Sequence, residues 1–234
     1  MGRYRFQMIP HARSIIGLRR QLARCIRLGA AVAAPLILFV SGAQALPEIR
    51  RFEITRNGEP IGTHVIEVDR SGNEFLVSVL TDLTVKVLFV TAYRLQFASS
   101  ERWANGRLLT LNSTSNNNGT RHVVSAAARG SRLEVTVDGK DSIFVDPNVM
   151  PNSFWNAEFL RRPIMLDAQD GQVMPVSVRD VGEEDLTINA SVIRTRRYTV
   201  ISRYSQDVWY DDQARLVKAQ LVARDGSVIM YRLL

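Results

Sequence analysis

Cysteine is almost absent: the single one, Cys25, lies within the first 45 of 234 residues. The chain from Leu46 to Leu234 therefore has no thiol, which excludes a disulfide framework, a thiolate nucleophile and a sulfur-ligated metal there. Histidine is nearly as scarce. Beyond residue 45 only His64 and His122 occur, on different predicted strands, and neither has a second ligand at metal-binding spacing. No metal site is expected. Gly-x-Ser-x-Gly, His-Glu-x-x-His and phosphate-cradling glycine loops are all missing. No cofactor is expected, and no residue is nominated as catalytic.

Acids are missing from the first 45 residues, which hold seven arginines (Arg3, Arg5, Arg13, Arg19, Arg20, Arg24, Arg27). An apolar run from Leu28 to Val40 follows, then Ala43-Gln44-Ala45. Basic, apolar, then small is the order of a secretory signal peptide, with cleavage expected between Ala45 and Leu46. The apolar run contains Pro35 and falls short of the ~20 residues of a spanning helix, so a retained anchor is the weaker reading. Arg19-Arg20 partly resembles a twin-arginine export signal. The expected organisation is a leader over 1–45 and one domain over 46–234, periplasmic or secreted.

The charge argument follows from the leader. The whole chain carries 30 basic and 23 acidic residues; removing seven arginines leaves 23 of each. The net charge of +7 belongs to the leader and gives no reason to expect nucleic acid as a partner.

What the remaining chain has is alternation. From Asp82 to Trp103, odd positions read Leu83, Val85, Val87, Phe89, Tyr93, Leu95, Phe97 and Trp103; even ones include Asp82, Thr84, Lys86, Arg94, Gln96 and Arg102. Period two marks strands with one buried and one wet face. Extended, this stretch spans about 70 Å at ~3.3 Å per residue, too long for one straight strand. It must bend, and Leu88–Ala92, with no Gly, Pro or Asn, predicts a curved or bulged corner rather than a tight turn. Elsewhere turn pairs recur, among them Asn57-Gly58, Asn105-Gly106, Asn118-Gly119 and Asp138-Gly139. The runs between them predict a meander of short strands, one of which covers Leu186–Ile193. The fold expected is all-β: an antiparallel, strongly curved sheet or open barrel with one short helix or lid. A membrane-integral barrel needs an outward apolar band, which Arg94, Gln96, Ser100 and Arg102 interrupt. The processed domain is therefore not expected to be integral to a membrane.

One segment breaks the rhythm, Asp146 to Pro163. Asn152 or Ser153 is a predicted helix N-cap, and Trp155 and Phe159 would share a helix face. It either plugs the core, the commoner fate of large aromatics, or lids a ligand cavity. Trp103 and Trp209 precede predicted turns and suit the mouth of a curved sheet. Phe89, Trp103, Trp155, Phe159 and Trp209 are the candidate ligand-lining residues. The acids at Glu183-Glu184-Asp185 and Asp211-Asp212 fall in predicted turns, where solvated carboxylates are the default.

Asn57-Gly58, Ile61-Gly62-Thr63-His64, Thr81-Asp82, Val85–Phe89, Trp103, Gly106-Arg107-Leu108, Asn118-Gly119-Thr120, Phe154-Trp155-Asn156, Trp209-Tyr210-Asp211 and Asp225-Gly226-Ser227 together resemble an uncharacterised family of exported bacterial proteins, domain of unknown function number 6134. The resemblance covers nearly all of the chain after the leader and brings no activity with it. In plan, a lid over a curved antiparallel sheet is also similar to the periplasmic lipoprotein-carrier fold, a likeness of fold alone. These readings lead to a binding or carrier module for an apolar or amphiphilic ligand, such as an envelope lipid. The alternatives are an envelope interaction module that binds a protein through its sheet edges, and a hydrolase with a dispersed site.

Overall fold

The computed structural model describes residues 46–234; the expected leader, up to and including Ala45, lies outside the described residues. Eight strands come first: β1 (Glu48–Arg56), β2 (Glu59–Ser71), β3 (Glu74–Val87), β4 (Val90–Ala104), β5 (Arg107–Asn117), β6 (Thr120–Arg129), β7 (Arg132–Val137) and β8 (Ile143–Val145). A small insert follows: β9 (Val149–Pro151), a 3-10 helix (Ala157–Arg161), β10 (Ile164–Leu166) and β11 (Val173–Pro175). Five strands close the chain: β12 (Ser177–Ile188), β13 (Ser191–Ile201), β14 (Ser205–Tyr210), β15 (Leu216–Val222) and β16 (Val228–Leu233).

Thirteen of these form one antiparallel sheet in the order β12-β13-β14-β15-β16-β1-β2-β3-β4-β5-β6-β7-β8. Sequence neighbours are spatial neighbours throughout, and the two ends of the domain meet where Phe52 faces Leu233. The sheet is an all-β meander that does not close, with β8 and β12 at its edges. The chain joining those edges is the insert, whose strands form a separate sheet, β11-β10-β9.

The alternation fixes the faces. On β3, Val77, Val79, Thr81 and Leu83 are buried while Leu76, Ser78, Leu80 and Asp82 are exposed; on β4, Leu95, Ser99, Glu101 and Trp103 are buried. Outside, Trp209, Lys218, Arg232, Glu53, Thr63, Asp82 and Gln96 lie in register across seven neighbouring strands, giving a polar girdle with an Arg232–Glu53 ion pair of 2.7 Å. About eight strands enclose a space that side chains alone can fill. Thirteen curl around more, and the insert occupies part of the excess. Its Val149, Met150, Leu160, Met165 and Leu166 are buried against Trp103, Leu108, Leu111, Val124 and Leu133 of the sheet.

Three local expectations are corrected. The stretch around Phe89 makes a tight two-residue turn: Leu88 and Phe89 both have positive φ (49° and 70°), and Val87 pairs with Val90. The backbone takes the geometry that Asn-Gly adopts cheaply, at about 1–2 kcal/mol for each L-residue placed there. The irregularity expected nearby exists as a register shift between Val85 and Lys86. The run Leu186–Ile193 is not one strand; Asn189 and Ala190 (φ 49° and 63°) turn the chain between β12 and β13. Within β12 itself, Gly182 sits in a bulge. The 3-10 helix is capped by Asn156, whose side chain accepts from the Glu158 N–H, and not by Asn152 or Ser153.

Candidate functional site

The insert fills only one end of the curled sheet. Trp103 stacks on Phe159 (centroids 4.3 Å apart), and Trp155 meets both rings edge-on at 6.3 and 5.1 Å. The Arg162 guanidinium lies 4.6 Å from the Phe159 centroid and 5.0 Å from that of Trp103, and donates to the carbonyls of Val149 (2.6 Å) and Gly106. Ser113 and Ser115, small polar residues on the inward face of β5, donate to the carbonyls of Ala168 (2.5 Å) and Gln169 (2.6 Å). The Tyr210 hydroxyl donates to the Phe154 carbonyl at 2.9 Å. Backbone groups of the insert are thus satisfied inside the sheet, as buried polar atoms require.

Within this plug lies a carboxyl. Glu101 is 1% exposed and accepts from the Trp103 indole N–H at 2.8 Å, with no cation within ion-pair distance among the described residues. Burial pushes its carboxyl above the usual range, against the pull of its hydrogen bonds. It shares the odd-numbered rail of β4 with Phe97 and Trp103, which is the signal that could have found it.

The other end is hollow. A cavity of about 1040 Å³ opens there, with Val79, Leu83, Leu95, Phe97, Met165, Ile229 and Tyr231 among its apolar walls. His64 is part of the wall. Its Nδ1 is 2.8 Å from the Thr81 hydroxyl, and its ring lies between Phe52 and Tyr231 (5.6 and 5.3 Å). Burial lowers the imidazole to about 4 and raises the Tyr231 phenol to about 12, so both stay neutral at pH 7. The rim is charged: Arg56 pairs with Asp225 (2.6 Å), Arg203 with Asp170 (3.0 Å), and Arg224 has no ion-pair partner among the described residues.

None of the five aromatic candidates lines this cavity. Trp103, Trp155 and Phe159 come together, but as the packed plug. Trp209 faces outward because Val208 and Tyr210 on either side of it point inward; Arg197 and Lys218 from the flanking strands cover its ring at 5.0 and 4.2 Å, and its N–H donates to Glu184 at 2.9 Å. Phe89 is fully exposed at the hairpin tip.

Residues 52–234 match the family profile described as Domain of unknown function (DUF6134). The chain belongs to the DUF6134 family. No curated protein matches it. Among solved structures, this DUF6134 protein is similar to a beta-barrel-like protein of Domain of Unknown Function DUF1849 from Brucella abortus. The TM-score is 0.60 at 9% identity, over 82% of this chain and 97% of that one. The likeness establishes a shared fold.

The polar clusters of the DUF6134 chain read as follows. His122 Nδ1 lies 2.9 Å from Asp138, whose other oxygen accepts the Val123 N–H. Ser115 faces His122 across the β5–β6 pair, but its hydroxyl donates to Gln169 instead. His64 has a hydroxyl partner and no acid. Of the acids expected in solvated turns, Glu183-Glu184-Asp185 is instead within β12. Asp211-Asp212 does lie in the turn between β14 and β15, with Asp212 exposed but the Asp211 side chain buried between Arg50 (3.2 Å) and Arg215 (2.8 Å). Among the described residues, no group of three His, Cys, Asp or Glu side chains is placed to hold a metal.

Proposed function

We propose that this protein is an exported, periplasmic binding or carrier module for an apolar or amphiphilic molecule, with an envelope lipid as the class of ligand that fits best. The observation that carries the reading is the cavity of about 1040 Å³, apolar within and charged at one open end. Its volume is at the upper end of ordinary ligand sites, which are mostly apolar with a few orienting polar groups. An acyl chain would lie against Val79, Leu95 and Ile229, with an anionic headgroup at Arg224. Incubating the purified protein with envelope lipid extract and repeating size-exclusion chromatography tests this. A defined lipid class is expected to travel with the protein peak; a lipid-free peak after exposure to the extract would contradict the proposal.

The other two readings have less beneath them. Hydrolysis needs a nucleophile, a base hydrogen-bonded to it and a group that orients the base. His64 holds the Thr81 hydroxyl without an acid, and His122 holds Asp138 without a hydroxyl. Edge-strand pairing with a partner needs long, flat, unpaired edges. Here β8 is three residues long, and β12 is bulged and carries Asp180, Glu183 and Asp185.

A further inference from the structure

We infer that the Val87–Val90 turn is a membrane-docking tip that seats the mouth of the cavity on a bilayer surface. The inference rests on the carrier reading for what passes through the mouth, and not for the docking itself. β2 stops pairing with β3 at Gly62–Leu83, and β5 stops pairing with β4 at Leu95–Asn117. Residues Val85 to Tyr93 therefore pair only with each other, the Arg94 carbonyl still accepting the Asn118 N–H at 2.7 Å. Four residues past Leu83, the hairpin extends roughly 13 Å beyond the β5–β6 turn beside it.

At its end stand four consecutive apolar residues, with Leu88 87% and Phe89 100% exposed. Three of the other hairpins at this end turn on Asn57-Gly58, Asn118-Gly119 and Asp138-Gly139, residues suited to positive φ. Leu88 and Phe89 adopt the same conformation without suiting it, and their side chains touch no core. Behind the tip, Val85, Val87 and Ala92 line the cavity, so an apolar track runs from the turn into the interior.

The occupant argued here is lipid. Four tip residues are far too few for a protein interface, which takes about 800 Å² from each partner, whereas a bilayer accepts single apolar side chains into its boundary. Charge at the tip is compatible. Lys86 beside the turn, and Arg121, Lys140 and Arg224 at the same end, have no ion-pair partner among the described residues and are available to anionic headgroups. Glu59, Asp141 and Asp138 (whose partner is His122) balance them over this end as a whole. The polar girdle further back keeps the body of the sheet out of the bilayer.

The test uses two variants and vesicles of phosphatidylethanolamine with and without phosphatidylglycerol. The three natural tryptophans are at most 7% exposed, so Phe89→Trp adds an exposed reporter. Its emission is expected to shift to the blue on adding vesicles, more so with phosphatidylglycerol. The double variant Leu88→Asn/Phe89→Gly, whose turn residues fit the backbone, should remain folded by circular dichroism. It is expected to lose vesicle partitioning on the order of 100-fold while retaining any lipid bound in the cavity. No blue shift with either vesicle, or partitioning of the double variant equal to that of the parent, would overturn the inference. So would a parent oligomer that this variant dissolves in the absence of vesicles, which would make the tip a self-association surface. A protein that docks on vesicles yet carries no lipid would sink the carrier reading and leave the docking intact.

Discussion

His64 is a residue whose chemistry is strongly altered by burial. Above pH 6.5 it is neutral in both folded and unfolded chains, and its contribution to stability is flat. Between pH 6.5 and about 4 the unfolded chain takes up a proton that the buried imidazole refuses, so stability falls as the pH drops through that window, by roughly 3 kcal/mol in all. Urea unfolding midpoints at pH 7 and pH 4 should show this loss in the parent and not in His64→Gln; an equal loss in both would refute the assignment. The sequence made His64 visible but not its burial, because Ile61-Gly62-Thr63-His64 has no regular alternation. Glu101 was hidden for the opposite reason: a carboxylate on a buried rail is read as an interruption of the strand, although the Trp103 indole two residues on donates to one of its oxygens. For Trp209 the suitability of an indole for a cavity mouth is outranked by strand parity: Val208 and Tyr210 point inward and turn it outward.

At the scale of elements, strand positions were legible wherever Asn-Gly or Asp-Gly punctuated the alternation. They were illegible where L-residues take left-handed conformations without the usual signal, at Leu88-Phe89 and Asn189-Ala190. Tertiary context overrode turn chemistry in both. A glycine outside any turn has its own importance. A Cβ at Gly62 would lie 2.2 Å from the Asp82 carbonyl oxygen and 2.5 Å from the Leu83 Cα, backbone that cannot move without breaking the β2–β3 ladder. Gly62→Ala is expected to destabilise the domain by about 2 kcal/mol, within the usual range for overpacking. An unchanged urea midpoint would show that β2 and β3 can separate more easily than their register implies. The aromatic segment was readable as something that breaks the β rhythm and covers the sheet. That it forms β9 and a 3-10 helix, stapled by Arg162 and followed by β10 and β11, depends on partners distant in sequence.

At the scale of the molecule, the all-β, strongly curved, unclosed sheet follows from period-two runs separated by short turns, and that much was legible. The pairing of β1 with β16 was not, since nothing local in either strand names its partner. The division of the interior also depends on the assembled whole: thirteen strands curl around more space than one insert fills, and the remainder is the cavity. The central claim is that this remainder holds a ligand. Ala219 lies on its wall, where a phenyl group would project into open space. Native mass spectrometry after incubation with phosphatidylglycerol compares the parent with Ala219→Phe most directly. The account predicts a one-to-one lipid adduct on the parent that is depleted at least tenfold on the variant; no adduct on the parent, or equal adducts on both, would contradict it.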